Sequence, residues 1–159
     1  MFKFLLLVAL VPVVMLQNAD NLPHQKWSAA TVRKCKAGQP LPHAVRIENC
    51  PGDVCELGRG TSANMAMDFT ANQECTSLKS KATAYLLGLP VPYELPADIA
   101  NACTWLDGTR CPVSEGEDST YVLKFPMGDY PAISLEVEFD VVNQNGKSQG
   151  CFGIKVQVV

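Results

Sequence analysis

The stretch SLEVEFDVV, residues 134–142, carries the plainest structural signal in this chain of 159 residues. Its odd-numbered positions are apolar and alternate with Glu136, Glu138 and Asp140. Strict alternation with period two is typical of a β-strand that turns one face to a core and the other to water. We therefore expect the acidic side chains to be solvated, and not to form the paired acid and base of a glycosidase.

Two more stretches alternate in the same way, NMAMDFT at residues 64–70 and CFGIKVQVV at residues 151–159. Ahead of the second lies NQNG, residues 143–146, which is a strong signal for a hairpin turn. Weaker strand-like runs are TVRKC, HAVRIENC, KATAYLLG and STYVLKF. The residues that the two strong runs place on one face are Met65, Met67 and Phe69, and then Phe152, Ile154, Val156 and Val158.

These runs predict an all-β protein with about seven or eight antiparallel strands in one domain. Two sheets packed face to face would bury one face of every strand, and a closed barrel is the alternative. The sequence shows no long helical pattern, no internal repeat and no tract of low complexity. Methionines among the inward residues suit either ordinary core packing or a wall that adapts to varied ligands.

The stretch LLGLPVPYELP, residues 86–96, is unusual because it is both apolar and rich in proline. Its three prolines lack the N–H that a ladder needs, which excludes a central strand. Leu89, Val91 and Tyr93 lie between them, although an ordinary surface loop is more polar. We interpret the stretch as an extended apolar loop.

The first residues, MFKFLLLVALVPVVML, have the layout of a secretory signal, with Lys3 followed by an apolar run. The run is short for a membrane-spanning helix, and an anchored protein is the alternative. We predict a signal peptide over residues 1–19, a folded domain over residues 20–159, and secretion. The formal net charge of −3 argues against nucleic acid as a partner, because such binding needs a basic surface.

Seven cysteines are expected to form disulfides in an exported chain, where oxidised pairs persist. Cys50 and Cys55 bracket PGDV, and Cys103 and Cys111 bracket TWLDGTR, so that each pair could close a small loop. Zinc binding is the competing interpretation, but the chain has only two histidines. One cysteine must be left over or pair between chains.

The sequence offers little support for catalysis. His24 and His43 have no nucleophile motif beside them, and GRG at residues 58–60 lacks the strand and helix that flank a phosphate-binding loop. No Asn-x-Ser/Thr site occurs, and Asn101 begins only the rare variant that ends in cysteine. We therefore expect that the protein is not an enzyme, binds no cofactor or metal ion and carries no N-linked glycan.

Six motifs together resemble the ML (MD-2-related lipid-recognition) domain family, and most closely its Niemann–Pick type C2, or epididymal secretory protein E1, branch. The resemblance extends over the chain from about Val32 onward. The motifs are CPGDVCELGRG at 50–60, MDFTAN at 67–72, LLGLPVPY at 86–93, C-x7-C-P at 103–112, YPAISLEVEF at 130–139 and CFGIKVQV at 151–158.

The resemblance implies an immunoglobulin-like β-sandwich of two antiparallel sheets, with an apolar cavity for a lipid between them. It also implies a disulfide pattern that leaves Cys75 as a free thiol. The implied pairs are Cys35–Cys151, Cys50–Cys55 and Cys103–Cys111. The implied ligand-binding residues are Tyr93, Met127 and Tyr130 at the mouth, Phe139, Phe152 and Ile154 deeper in the wall, and Met65, Met67 and Phe69 among the inward residues.

The function that the resemblance implies is that of a secreted carrier, which holds a sterol or another hydrophobic ligand and transfers it. Two alternatives are innate-immune recognition of microbial lipids and carriage of fatty acids or semiochemicals. The expected partners are a hydrophobic small molecule and, transiently, a membrane or a lipid-transfer protein. The protein is expected to be a monomer in the extracellular space, with the lysosomal lumen as the alternative location.

Two departures from the sterol-binding members leave the ligand open. Where those members commonly carry tryptophan, this chain has Phe139 and Phe152, and its loop from Pro126 to Tyr130 looks one residue short. Diverged arthropod members resemble it in these respects, and some of them are thought to carry fatty acids or semiochemicals. The missing glycan site favours secretion over sorting to lysosomes.

Overall fold

Ten strands in two sheets account for most of residues 27–159, which the computed structural model of the chain describes. The predicted signal peptide, residues 1–19, and His24 lie outside the described residues. The first sheet has the order β1-β2-β4-β8-β7 and the second the order β3-β10-β9-β5-β6. The strands are β1 Trp27–Ala29, β2 Ala44–Glu48, β3 Val54–Leu57, β4 Ser62–Thr70, β5 Leu78–Leu86, β6 Leu89–Tyr93, β7 Leu106–Asp107, β8 Asp118–Pro126, β9 Ser134–Asn143 and β10 Ser148–Val158.

The two sheets pack face to face, which confirms the predicted β-sandwich. The strong sequence runs form β4, β9 and β10, and the turn at residues 143–146 joins β9 to β10 as predicted. Gly146 has φ +75°, and its N–H donates to the Asn143 carbonyl at 2.9 Å. A glycine suits this turn because it adopts positive φ without steric cost.

Three details of the strand prediction are wrong. Ten strands replace the expected seven or eight, because β1, β3 and β7 are too short to show a pattern. β3 pairs with β10 in parallel, whereas every pairing was expected to be antiparallel. The run TVRKC is not a strand, since Arg33 forms only a two-bond bridge to Gly153.

The proline-rich stretch is also not a loop, because Leu89–Tyr93 forms β6 at the edge of the second sheet. An edge strand bonds its neighbour through alternate residues only, and Pro90 and Pro92 are two apart. Their missing N–H groups therefore fall on the side that faces away from β5. The same prolines deny this edge the donors that another strand would need.

Two short helical segments connect β6 to β7. The α-helix α1 runs over Ala97–Ala100, and a 3₁₀ turn runs over Ala102–Trp105. Across residues 27–159, no helix has the length and apolar character needed to cross a membrane.

The three disulfides join the pairs that the family resemblance implies. Cys35–Cys151 ties the segment before β2 to β10, and the other two close small loops around Cys50–Cys55 and Cys103–Cys111. The seventh cysteine, Cys75, is buried and free. Six of the seven cysteines are bonded in pairs and are therefore not zinc ligands. Within residues 27–159 no cluster of three or more His, Cys, Asp or Glu could hold a metal ion.

The acidic face of β9 is not solvated as expected. Arg33 lies across it, with its guanidinium 2.8 Å from Glu138 and 2.7 Å from Glu136. Glu138 also accepts from the Lys36 backbone N–H and from the Tyr85 hydroxyl, and it is 7% exposed. Sequence alternation identified the outer face correctly but could not show that the segment before β2 covers it.

Candidate functional site

A cavity of about 290 Å³ lies between the two sheets at one end of the sandwich. One wall comes from the start of β4 and the end of β8, and the other from β5, β6, β9 and β10. The loop between β8 and β9 closes the side. At the opposite end the space between the sheets is filled by core side chains: Met67, Phe69, Leu78, Tyr121, Val141 and Phe152.

Small side chains explain why this end is hollow. Ala63 on β4 and Ala82 and Ala84 on β5 point into the space where the sheets would otherwise meet. Strands with larger residues at these positions would close the gap, because protein interiors pack to high density. The hollow is therefore encoded by small residues on strands whose other inward residues are large.

The cavity wall is almost entirely hydrocarbon. Among its residues, polar side chains belong only to Tyr93, Tyr130 and Asn64. Asn64 donates through its amide to Glu48 on the neighbouring strand β2. Strand alternation places it on the outer face, opposite to Met65. A wall of this composition suits an apolar ligand.

Two tyrosines meet across the mouth. The hydroxyl oxygens of Tyr93 on β6 and Tyr130 in the β8–β9 loop are 2.6 Å apart. The Tyr93 ring also packs edge-on against Phe125 with centroids 5.8 Å apart. The hydrogen bond with Tyr93, together with burial, raises the pKa of Tyr130 to about 12, so Tyr130 stays protonated at physiological pH.

Met127 is anchored beside this pair. Its backbone N–H donates to the Thr61 carbonyl at 2.8 Å, and its carbonyl accepts from Gly60 at 3.0 Å. The side chain is 7% exposed and faces the cavity. Two backbone bonds therefore fix the position of this rim residue.

An exposed apolar tip lies next to the mouth at the β5–β6 hairpin. Leu87 is fully exposed, and Leu86, Leu89 and Val91 are exposed beside it. Leu87 has φ +51°, a region that leucine rarely adopts and that favours glycine or asparagine. Residues 86–93 carry no charge.

Six of the nine ligand-binding residues named from the sequence line this cavity: Met65, Tyr93, Met127, Tyr130, Phe139 and Ile154. Met67, Phe69 and Phe152 are buried in the core and do not line it. Phe152 touches the wall through Phe139, with ring centroids 5.8 Å apart. Contact of all nine with a ligand stays a prediction.

Several wall residues are missing from the ligand-binding residues named from the sequence. Leu123 and Phe125 on β8 and Ala82, Ala84 and Leu86 on β5 all line the cavity. The alternation within STYVLKF and KATAYLLG could have identified them, since each run places these residues on one face.

The fold and the cavity together define an immunoglobulin-like β-sandwich with an internal apolar cavity. The family model described as the ML domain matches residues 29–158, and the chain belongs to this family. The resemblance drawn from the six motifs is thereby confirmed.

Relatives of known name or structure support the same assignment. The chain is 30% identical over 115 residues to the NPC intracellular cholesterol transporter 2 of Bos taurus, which covers 72% of this chain and 74% of that protein. A Niemann–Pick type C2 protein from Japanese carpenter ant superposes with a TM-score of 0.72 at 22% identity, covering 81% of this chain and 99% of that one. Chicken MD-1, solved in complex with lipid IVa, superposes with a TM-score of 0.51 at 16% identity, covering 82% and 96%.

Proposed function

We propose that this protein is a lipid carrier that holds one hydrophobic molecule between its sheets and transfers it through the mouth at Tyr93 and Tyr130. The observation that carries the proposal is the apolar cavity of about 290 Å³ at the open end of the sandwich. Its relative in Bos taurus is named as a cholesterol transporter, which supports a sterol or a similar lipid as cargo. Such work needs no catalytic group.

The energetics suit a reversible carrier. Removing about 400 Å² of apolar ligand surface from water contributes roughly 10 kcal/mol at ~25 cal/mol per Å². Association costs several kcal/mol in lost translational and rotational freedom. The difference of about 5–6 kcal/mol corresponds to dissociation constants of roughly tens to hundreds of micromolar, which permit both loading and release.

The cavity is small for the cargo classes under consideration. Ligand pockets commonly measure about 300–1,000 Å³, and this one falls at the lower limit. A slim fatty acid or semiochemical therefore fits with less movement than a sterol, which would require the sheets to part. Phe139 leaves more room in the wall than the tryptophan that sterol-binding members commonly carry would.

Release into a membrane is the transfer route that the surface favours. The apolar tip at Leu87 adjoins the mouth, is uncharged and cannot accept an added strand because of its prolines. A lipid surface would shelter its leucines while the ligand leaves. We place the carrier outside the cell, with the lysosomal lumen as the alternative.

Native mass spectrometry of the protein from its own source, followed by organic extraction, tests the function. A bound sterol or linear lipid at one molecule per chain is the expected result. A protein that is empty and takes up neither added sterol nor added fatty acid would overturn the carrier proposal. Binding of bacterial glycolipid without exchange to vesicles would point instead to immune recognition.

A further inference from the structure

A hydrogen bond between the two sheets lies directly behind the inner end of the cavity. Ser80 of β5 donates its hydroxyl to the hydroxyl of Tyr121 on β8, with the oxygens 2.6 Å apart. The residues are 3% and 1% exposed, and their strands belong to opposite sheets. Burial raises the pKa of Tyr121 to about 12 although the bond from Ser80 opposes the shift, so the phenol stays neutral.

On the mouth side of this bond, the next inward residues of the same strands line the cavity. Ala82 of β5 is paired with Phe139, and Leu123 of β8 is paired with Met65. All four residues contribute to the cavity wall.

Two positions further inward on each strand, the corresponding four residues leave no cavity between them. Ser80 is paired with Val141, and Tyr121 with Met67. All four are buried and none of them lines the cavity. The cavity therefore ends between Ala82 and Ser80 on β5 and between Leu123 and Tyr121 on β8. The side-chain hydrogen bond that joins the two sheets lies at this end.

We propose that Ser80 and Tyr121 set the depth of the cavity and thereby limit the length of the ligand that the protein accepts. This inference rests on the proposed carrier function. A hydrocarbon that enters between Ala82 and Leu123 replaces one set of apolar contacts with another. Going further would separate two buried hydroxyls, and a hydrocarbon offers neither of them a partner.

Part of the packing behind the pair is adaptable. Met67 lies there, with its Sδ and Cε 3.4 Å from the position that a Cβ would take at Gly150. Methionine is unbranched and changes shape readily, so it can move aside for a longer chain. A growing chain would therefore meet the hydroxyl pair before it reaches the larger core side chains Phe69, Val141 and Phe152.

The test compares the wild type with the double variant Ser80→Ala, Tyr121→Phe, which removes both hydroxyls and leaves neither unpaired. Straight-chain alkanoic acids of increasing length displace a fluorescent fatty acid from each protein. In the wild type we expect affinity to rise with chain length up to a limit. In the double variant we expect the limit to move to longer chains, with about a fourfold gain for each additional buried methylene.

Ser119→Ala is the matched control, because it removes a buried hydroxyl from the same strand β8, and both Ser119 and its partner Thr109 lie away from the cavity wall. Its length limit should equal that of the wild type. Ser80→Ala alone, which removes the least volume, is compared in the same way if the double variant does not fold. If the wild type takes only sterols, sterols with side chains of different length replace the acids.

The outcomes separate the two proposals. An unchanged length limit in a folded variant overturns the role of Ser80 and Tyr121 and leaves the carrier function standing. A wild type that binds neither alkanoic acids nor sterols overturns the carrier function itself.

Discussion

The hydroxyls of Tyr93 and Tyr130 form a hydrogen bond across the mouth of the cavity, with their oxygens 2.6 Å apart. Tyr93 lies on an edge strand and Tyr130 in a loop. A ligand that passes between them must break this bond. Because the pair is partly exposed, water can replace it, and its net contribution is about 0.5–1 kcal/mol. The pair should therefore slow passage more than it alters affinity.

Replacing Tyr130 by phenylalanine should speed ligand release about two- to fivefold, since the ring stays and only the hydrogen bond is lost. Stopped-flow measurement of a fluorescent lipid leaving the protein checks this. Tyr85→Phe is the matched control, because its hydroxyl bonds Glu138 on the outer face of β9. Equal release rates for all three proteins would show that the mouth pair is not a barrier.

Replacing Met127 by lysine should weaken binding of any apolar ligand by on the order of tenfold or more, because it brings a charge to a hydrocarbon wall. Met127→Leu, which conserves volume and polarity, should bind nearly as the wild type does. Equilibrium titration with sterol and with fatty acid measures both. If the lysine variant kept full affinity for every lipid, Met127 could not line the binding site.

Replacing Leu87 by asparagine should preserve or raise stability, since asparagine tolerates the positive φ that leucine holds there. The same change should slow lipid transfer to vesicles by removing an apolar side chain from the tip. Leu41→Asn removes another exposed leucine, on a segment outside the cavity wall, as a control. Equal transfer rates in both variants would argue against membrane contact through this hairpin.

Removing the Cys35–Cys151 disulfide should destabilise the protein more than removing Cys50–Cys55. The bridged residues are 116 apart in the first case and 5 apart in the second. Loop-closure entropy then predicts losses of about 5 and about 2 kcal/mol for the paired serine variants. Urea unfolding measures both, and the reverse order would contradict the entropic account.

Glu138 should make stability depend on pH in the acid range. Burial alone would raise its pKa, but hydrogen bonds from Arg33, the Lys36 backbone and Tyr85 outweigh this and hold the pKa below the usual 4.5. A carboxyl with a depressed folded pKa adds stability above its unfolded pKa and loses it as the pH falls through the folded value. The free energy of unfolding should therefore decline as the pH drops below about 4.5.

Glu138→Gln should flatten this decline and lower stability at neutral pH by about 1–3 kcal/mol, because it leaves Arg33 without one of its carboxylates. Part of the slope should remain, since the hydrogen bond with Arg46 also lowers the pKa of Asp68. Exposed Glu115→Gln is the control. Urea unfolding across the acid range checks the result, and parallel slopes for both variants would disprove the assignment.

Much of the fold could be read from short stretches of sequence. Alternation in β4, β9 and β10 identified the strands and the inward residues, and the turn at residues 143–146 joined the last two correctly. These signals are local, because the residues that create them are neighbours in the chain and their directions follow from strand geometry. Six of the nine residues named for the site line the cavity, although Tyr93, Met127 and Tyr130 among them came from the family resemblance and not from alternation.

Other features of the fold and the site depend on which distant segments meet, and only the tertiary structure decides them. The parallel pairing of β3 with β10, the cover that Arg33 places over Glu138 and the bond between Ser80 and Tyr121 join residues far apart in the chain. The last contact spans 41 positions and crosses between sheets. Local periodicity determines which way a side chain points, whereas the partner it finds there, and hence where the cavity ends, is decided by how the two sheets close on each other.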